Sequence, residues 1–222
     1  MARDGTRGSS SGLDHPFRKA RDRIILAVRE GLFPSVAVGV ATGGEIAWQE
    51  GFGWADRERR ASATSNTIYS LASVTKPLTA TGIMVLAQRG LVDLDRPIND
   101  YLGEAKVKAW VGSDRQATVR RVANHSSGLP VHYHIFYGQS PPPMEETIRR
   151  YGNLVAAPGE RYQYSNLGYG LLGHVISRVS GRDYADFMNA EVFRPLGMSR
   201  TSVGIDAERA QLAKQQTMEL RG

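Results

Sequence analysis

Cysteine is absent from the 222 residues. That excludes a disulfide framework, a zinc ribbon, a thiolate cluster and a cysteine nucleophile at once. Long apolar stretches are missing too: runs such as Ile24 to Val28 fall far short of the roughly 20 residues that a membrane-spanning helix needs. The opening residues Met1-Ala2-Arg3-Asp4-Gly5-Thr6 are polar and have no apolar segment behind them. As written, the sequence predicts a cytoplasmic chain without a secretory leader, or one whose start lies upstream. Blocks of a single charge are also lacking. The net charge is +6, but the arginines come as separated pairs, Arg59-Arg60, Arg120-Arg121 and Arg149-Arg150, with acids nearby and no interleaved aromatics. A solvated surface explains them better than a nucleic-acid patch, so no nucleic-acid partner is expected.

What is present is an ordinary globular balance, 41% hydrophobic and 23% charged, which excludes wholesale disorder. Residues 1 to 12 read as a flexible Gly/Ser lead-in and residues 13 to 222 as one domain. A helix is expected from Asp14, with Phe17, Ile24, Ile25 and Val28 roughly on one side and a stop at Gly31 and Pro34. Ser35 to Thr42 and Glu45 to Phe52, joined by Gly43-Gly44, make a β-hairpin. Ile68-Tyr69 reads as a short strand, and a long helix should run from about Ser73 to Arg89 and end at Gly90. Residues 91 to 143 read as loops with short helical pieces, among them Val119 to Asn124. Further helices are expected over Met144 to Tyr151, from Ser165 to a stop at Gly181, and from Asp183 to Val192. The order is mixed rather than a βαβ alternation, so the fold class is α+β.

Several stretches invite a chemical reading. Gly8-Ser9-Ser10-Ser11-Gly12 matches the G-x-S-x-G nucleophile elbow, but no apolar strand precedes it, and a Ser/Gly lead-in is the better account. His125, His132 and His134 lie close in sequence without a nearby Asp, Glu or Cys to complete a metal site. Together with Tyr133, Phe136 and Tyr137 they look like a loop with aromatic anchors. Ser73-Val74-Thr75-Lys76 carries more information. The spacing S-x-x-K arises by chance in about one chain in three of this composition, so its context decides. Pro77 is tolerated only in a first helical turn, which puts the helix start close to Ser73. Ser73 then sits at the positive end of the helix dipole, and its N–H can meet a developing oxyanion. Lys76 projects from the same face and reaches the Ser73 hydroxyl. The plainer alternative makes Ser73 a helix cap and Lys76 a surface lysine.

A lysine acting as a base at neutral pH must lose about three pKa units, which calls for burial or a second polar partner. Tyr164-Ser165-Asn166 offers that partner. It follows the turn Ala157-Pro158-Gly159-Glu160 and opens a helix. A second Y-x-N, Tyr151-Gly152-Asn153, has no such frame and reads as an ordinary helix end.

Taken together, these segments resemble the serine hydrolase family that includes class C β-lactamases, low-molecular-weight penicillin-binding proteins (D-Ala-D-Ala peptidases) and related esterases. The resemblance rests on Tyr69 to Lys76, on Gly90-Leu91-Val92-Asp93-Leu94-Asp95 followed by Pro97, on His125-Ser126-Ser127-Gly128-Leu129-Pro130, on Pro158-Gly159-Glu160 leading to Tyr164-Ser165-Asn166, and on Pro195-Leu196-Gly197-Met198. It implies a β-lactamase/transpeptidase-like fold, with a helical lobe and the N-terminal part of an antiparallel sheet. It also implies that Ser73 is acylated, that Lys76 assists its proton loss, that Tyr164 exchanges protons with nucleophile and leaving group, and that Asn166 holds the substrate amide and Lys76. No metal or organic cofactor is implied, and the substrate would be a small ester, amide or β-lactam. The family's third motif, a Lys- or His-containing tripeptide usually ending in Gly, has no match between Asn166 and Gly222: His174-Val175-Ile176 falls in a helix and Ser202-Val203-Gly204 has no basic residue. The expectation is therefore a C-terminally truncated member whose later strands are missing. Either it works alone or it needs a complementing chain to complete the sheet.

Overall fold

A computed structural model of the chain describes residues 16–131 and 142–204. The described residues form two compact units, residues 16–70 and residues 71–204.

In the first unit, helix α1 (Arg18–Arg29) precedes strands β1 (Ser35–Thr42) and β2 (Glu45–Asp56). These pair antiparallel, with Thr42 opposite Glu45. The two residues between them need positive φ, and Gly43 and Gly44 supply +58° and +82°, so the strands' own twist continues through the turn. Trp48 and Phe52 share one face of β2 and are buried. Phe17, just ahead of α1, stacks on Trp48 at 5.2 Å between ring centroids. Arg21 of α1 reaches Glu50 at 2.8 Å, which fixes the helix over that face.

The hairpin is longer than the sequence pattern indicates, and it gains a third strand, β3 (Ala61–Ser62). Asp56 Oδ1 accepts the Arg59 N–H at 2.9 Å, and Arg60 adopts φ +52°. An Asx-type turn thus folds the Arg-rich connector back onto β2. The expected strand at Ile68-Tyr69 does not form. That segment runs without ladder pairing, held where the Tyr69 hydroxyl donates to Ser35 Oγ at 3.0 Å.

The second unit is mostly helical. Its elements are α2 (Thr75–Gln88), β4 (Lys108–Ala109), α3 (Val119–Ala123), α4 (Met144–Tyr151), β5 (Asn153–Leu154), α5 (Asn166–Ser180) and α6 (Tyr184–Met188). Strands β4 and β5 make a two-residue parallel pair, too short to leave a periodic signature. Helix α5 is central: Leu167, Leu171, Leu172, Val175 and Ile176 are all buried. Against them pack Ile83 and Leu86 of α2, Val119 and Val122 of α3, and Phe187 and Met188 of α6. Gly82 lets α2 approach closely, since a Cβ there would meet Met188 Sδ at 2.9 Å and Ile176 Cδ1 at 3.0 Å.

Two helices differ from expectation. The one expected to start at Ser73 begins instead with a 3-10 turn over Ala72–Val74 and becomes α-helical at Thr75. The one expected over Asp183 to Val192 is α-helical only to Met188 and widens into a π turn over Asn189–Phe193. There the Arg194 N–H reaches back to Asn189 O at 3.0 Å while Val192 and Phe193 stay in the core.

Candidate active site

The 3-10 turn ahead of α2 sets the direction of Ser73. Ala72 lies at φ +44°, a left-handed conformation that disfavours any residue with a Cβ. The chain therefore turns sharply just before Ser73. Ser73 is in the leading turn of the helical stretch, at the positive end of its dipole, and the Val74 N–H that follows it closes the turn on Leu71 O at 2.9 Å. Pro77 is the third residue of α2 and costs no hydrogen bond there. One turn on from Ser73, Lys76 Nζ donates to Ser73 Oγ at 3.2 Å.

The same ammonium donates to Asn166 Oδ1 at 2.7 Å, and Ser73 Oγ shares a 2.7 Å hydrogen bond with the Tyr164 hydroxyl, 91 residues away in sequence. Lys76 Nζ also sits 4.6 Å from the centroid of the Tyr164 ring and 5.7 Å from that of Tyr169. Ser73, Lys76, Tyr164 and Asn166, singled out from the sequence, thus form one hydrogen-bonded cluster. Tyr169 was not singled out. Its signal was its place three residues after Asn166, on the same side of α5.

Tyr164 and Asn166 are aimed by a backbone strap. The segment 163–166 runs alongside the turn 125–131 and is bonded to it repeatedly. The Gln163 N–H donates to His125 O at 2.6 Å and the Asn166 N–H to Val131 O at 3.0 Å. Between these, the Ser165 N–H donates to His125 Nδ1 at 3.1 Å. Ser165 Oγ donates to Pro130 O at 2.7 Å and accepts the Gly168 N–H at 3.0 Å, capping α5. The turn itself depends on Gly128, at φ +79° against the Ala156 carbonyl, where any Cβ would collide.

Charge and burial act differently on the aromatic hydroxyls and the imidazole. The hydrogen bond with the Lys76 ammonium, and then the one with Ser73, hold the Tyr164 phenol below its ordinary value. Burial raises Tyr169, whose hydroxyl is tied to Ala123 O at 2.8 Å. Burial, with a smaller contribution from Lys76, pushes the His125 imidazole down. A serine hydroxyl between an ammonium and a phenol held below its ordinary value is placed to lose its proton to the phenolate form of that phenol.

A cavity of about 460 Å³ is lined by Ala72, by Lys76 and Thr79 of α2, and by Tyr169 and His174 of α5, with Met144 and Tyr184 also in its walls. His174 is in α5. Among the described residues no cluster of His, Asp or Glu could hold a metal ion, and no helix is long and apolar enough to cross a membrane. His132, His134, Tyr133, Phe136 and Tyr137, the Gly8 to Gly12 elbow match and the lead-in at residues 1 to 12 all lie outside the described residues.

Comparison with known proteins yields a coherent group. The Beta-lactamase family model matches residues 20–219. A penicillin-binding protein of Bacillus subtilis (strain 168) is 33% identical over 177 residues, which cover 73% of this chain and 36% of that protein. The esterase EstB of Burkholderia gladioli is 33% identical over 189 residues, covering 78% of this chain and 47% of the esterase. Among solved structures, the octameric penicillin-binding protein homologue from Pyrococcus abyssi superposes with a TM-score of 0.72 at 30% identity, covering 83% of this chain and 44% of that one. The chain spans less than half the length of each of these relatives.

Proposed function

The chain belongs to the Beta-lactamase family, and from that premise we propose that it is a serine hydrolase that transfers an acyl group from a small ester, amide or β-lactam to Ser73 and then to water. The observation that carries this reading is the continuous hydrogen-bonded path Asn166, Lys76, Ser73, Tyr164. Tyr164, held toward its phenolate by Lys76, takes the Ser73 proton as Oγ attacks the carbonyl carbon. The C–O double bond opens to an oxyanion, and the Ser73 N–H stabilises it. Collapse of that tetrahedral adduct breaks the bond to the leaving group, which receives the proton back from Tyr164. Water then repeats the sequence in the deacylation half: Tyr164 takes its proton, hydroxide oxygen adds to the acyl carbon, and Ser73 Oγ leaves with the returned proton. Throughout, Lys76 supplies positive charge beside both oxygens, and Asn166 fixes the ammonium through its Oδ1. No metal or organic cofactor enters these steps.

Incubation with a fluorescent penicillin and, separately, a fluorophosphonate, followed by mass spectrometry, tests the proposal. The expected result is a single adduct on Ser73 that is lost in Ser73→Ala. Absence of any adduct, under conditions that label a full-length relative, would overturn it.

A second reading is favoured by two observations: the chain covers 36% and 47% of its curated relatives, and residues 167–222 contain no Lys- or His-x-Gly tripeptide. In that reading the chain is a non-catalytic fragment or a subunit that needs a complementing polypeptide. A cooperative thermal transition together with ester hydrolysis by the purified chain alone would refute it.

A further inference from the structure

We propose that His125 is a positioning residue for this site, holding Tyr164 against Ser73 through a neutral imidazole whose Nδ1 is a permanent acceptor. The inference rests on the acyl-transfer reading above and adds to it a residue that never touches the reacting atoms.

The geometry points to His125 in three independent ways. Its Nδ1 accepts the N–H of Ser165, the residue between Tyr164 and Asn166, at 3.1 Å. That bond needs a lone pair on Nδ1, so the ring proton sits on Nε2. The ring also lies against Tyr164, 4.5 Å between centroids at an interplanar angle of 36°, with Tyr169 and Tyr162 at 5.2 and 5.6 Å. Finally, the backbone is committed to this placement. His125 adopts φ +64°, which a β-carbon disfavours, and its carbonyl accepts the Gln163 N–H at 2.6 Å. Only 9% of the residue is exposed, so water does not replace the acceptor.

The groups facing the imidazole among the described residues are Tyr164 from the strap, Tyr162 just ahead of it, Tyr169 from α5 and the Lys76 ammonium from α2. Among the described residues no carboxylate stands with them to stabilise an imidazolium. Protonation would convert Nδ1 from acceptor to donor and set its N–H against that of Ser165. It would also add a second cation beside Lys76. The strap between 125–131 and 163–166 would then lose its central bond, and the Tyr164 hydroxyl its fixed distance from Ser73. The site therefore carries an acid-sensitive brace one layer behind the nucleophile.

Two variants separate the brace from simple packing. Asn tolerates a positive φ and offers Oδ1 near the position of Nδ1 without titrating, while Gly tolerates the same φ and offers nothing. With the full 222-residue chain, acylation of Ser73 by a fluorophosphonate is followed from pH 5 to 8. His125→Gly should be slowed about tenfold or more, the equivalent of one buried hydrogen bond, and His125→Asn should recover most of that loss. In the wild type the log of the rate should fall with one extra unit of slope below the imidazole titration, and His125→Asn should lack that extra slope. Equal rates for the Asn and Gly variants, or the same extra slope in His125→Asn, would overturn the proposal. Nitrogen-15 NMR of the imidazole gives a readout that needs no activity. Nδ1 should be unprotonated at pH 7.5, and the Ser165 amide shift should titrate with the ring. If the wild type is never acylated, the hydrolase reading fails, and the NMR result alone decides whether His125 braces the strap: a Ser165 amide indifferent to the ring's titration would refute it.

Discussion

Replacing Ser165 by Ala should destabilise the chain by about 2–3 kcal/mol, and the figure can be built from its contacts. The residue is 1% exposed, so water cannot substitute for the hydroxyl. Removing Oγ takes the cap from the Gly168 N–H at 3.0 Å, and losing an N-cap of this type costs about 1–2 kcal/mol. It also strips Pro130 O of its donor at 2.7 Å, and a part-buried carbonyl left without that donor costs about 1 kcal/mol more. With a urea m-value of about 2 kcal/mol/M, the midpoint should move down by about 1–1.5 M. The assay is urea denaturation followed by far-ultraviolet circular dichroism. Ser126→Ala is the control, because that hydroxyl bonds only Asn124 Oδ1 in an exposed turn and should change stability by less than about 0.5 kcal/mol. If Ser165→Ala falls within the same margin as the control, the claim that this side chain ties α5 to the turn 125–131 is wrong. The account of how Tyr164 and Asn166 are aimed would fall with it.

Two further outcomes follow from the electrostatics. In Lys76→Met the Tyr164 phenol should titrate closer to the ordinary tyrosine value near 10, because the Lys76 hydrogen bond is the largest cause of its depression; ultraviolet difference titration against Tyr164→Phe measures this, and an unmoved phenol would remove Lys76 as the cause. Stability should also depend on pH between 7 and 5. His125 and His174 are both held down chiefly by burial, so below about pH 6.5 the unfolded chain binds more protons than the folded one. Their contribution is complete above the unfolded value and is lost as pH falls through the folded values, so the melting temperature should drop on acidification. A flat profile across that range would contradict the burial of both rings.

Local signals carried much of this architecture. Helix α4 occupies the predicted Met144–Tyr151, where Pro143 precedes two acids and the helix closes on two arginines. The turn at Gly43-Gly44 needed no tertiary information. Other elements had no local signature. Strands of two residues, β3, β4 and β5, cannot show a period of two, and β3 exists because Asp56 caps a turn whose arginines read as a connector. The break between the 3-10 turn and α2 is likewise hidden, because Ala72 looks helix-favouring in sequence and is left-handed in the fold. Within the site, the pairing of Ser73 with Lys76 was legible as one helical turn. The link to Tyr164, 91 residues on, was legible only through the order of several motifs. The strap that aims Tyr164 was not legible as a pairing: His125 and Ser165 stood out only as members of two motifs, and the backbone bonds from Gln163 to His125 and from Asn166 to Val131 leave no mark on residue identity.

All four residues of the proposed site, and the turn that aims two of them, come from the unit spanning residues 71–204. The proton transfers proposed at Ser73 therefore call on no Lys- or His-x-Gly tripeptide, which residues 167–222 do not contain. The family resemblance implies that such a tripeptide lies on a strand that supplies a second oxyanion N–H, and losing one donor costs about 10²–10³ in rate. This turns the choice between the two functional readings into a measurable quantity. Acylation by a p-nitrophenyl ester should be slower than in a full-length relative by about that factor, yet should still fall to background in Ser73→Ala and Tyr164→Phe. A rate equal to the relative's would mean that another N–H of this chain serves the oxyanion. A wild-type rate no higher than that of Ser73→Ala would leave the hydrogen-bonded cluster as inherited geometry without catalysis and favour the complementing-chain reading.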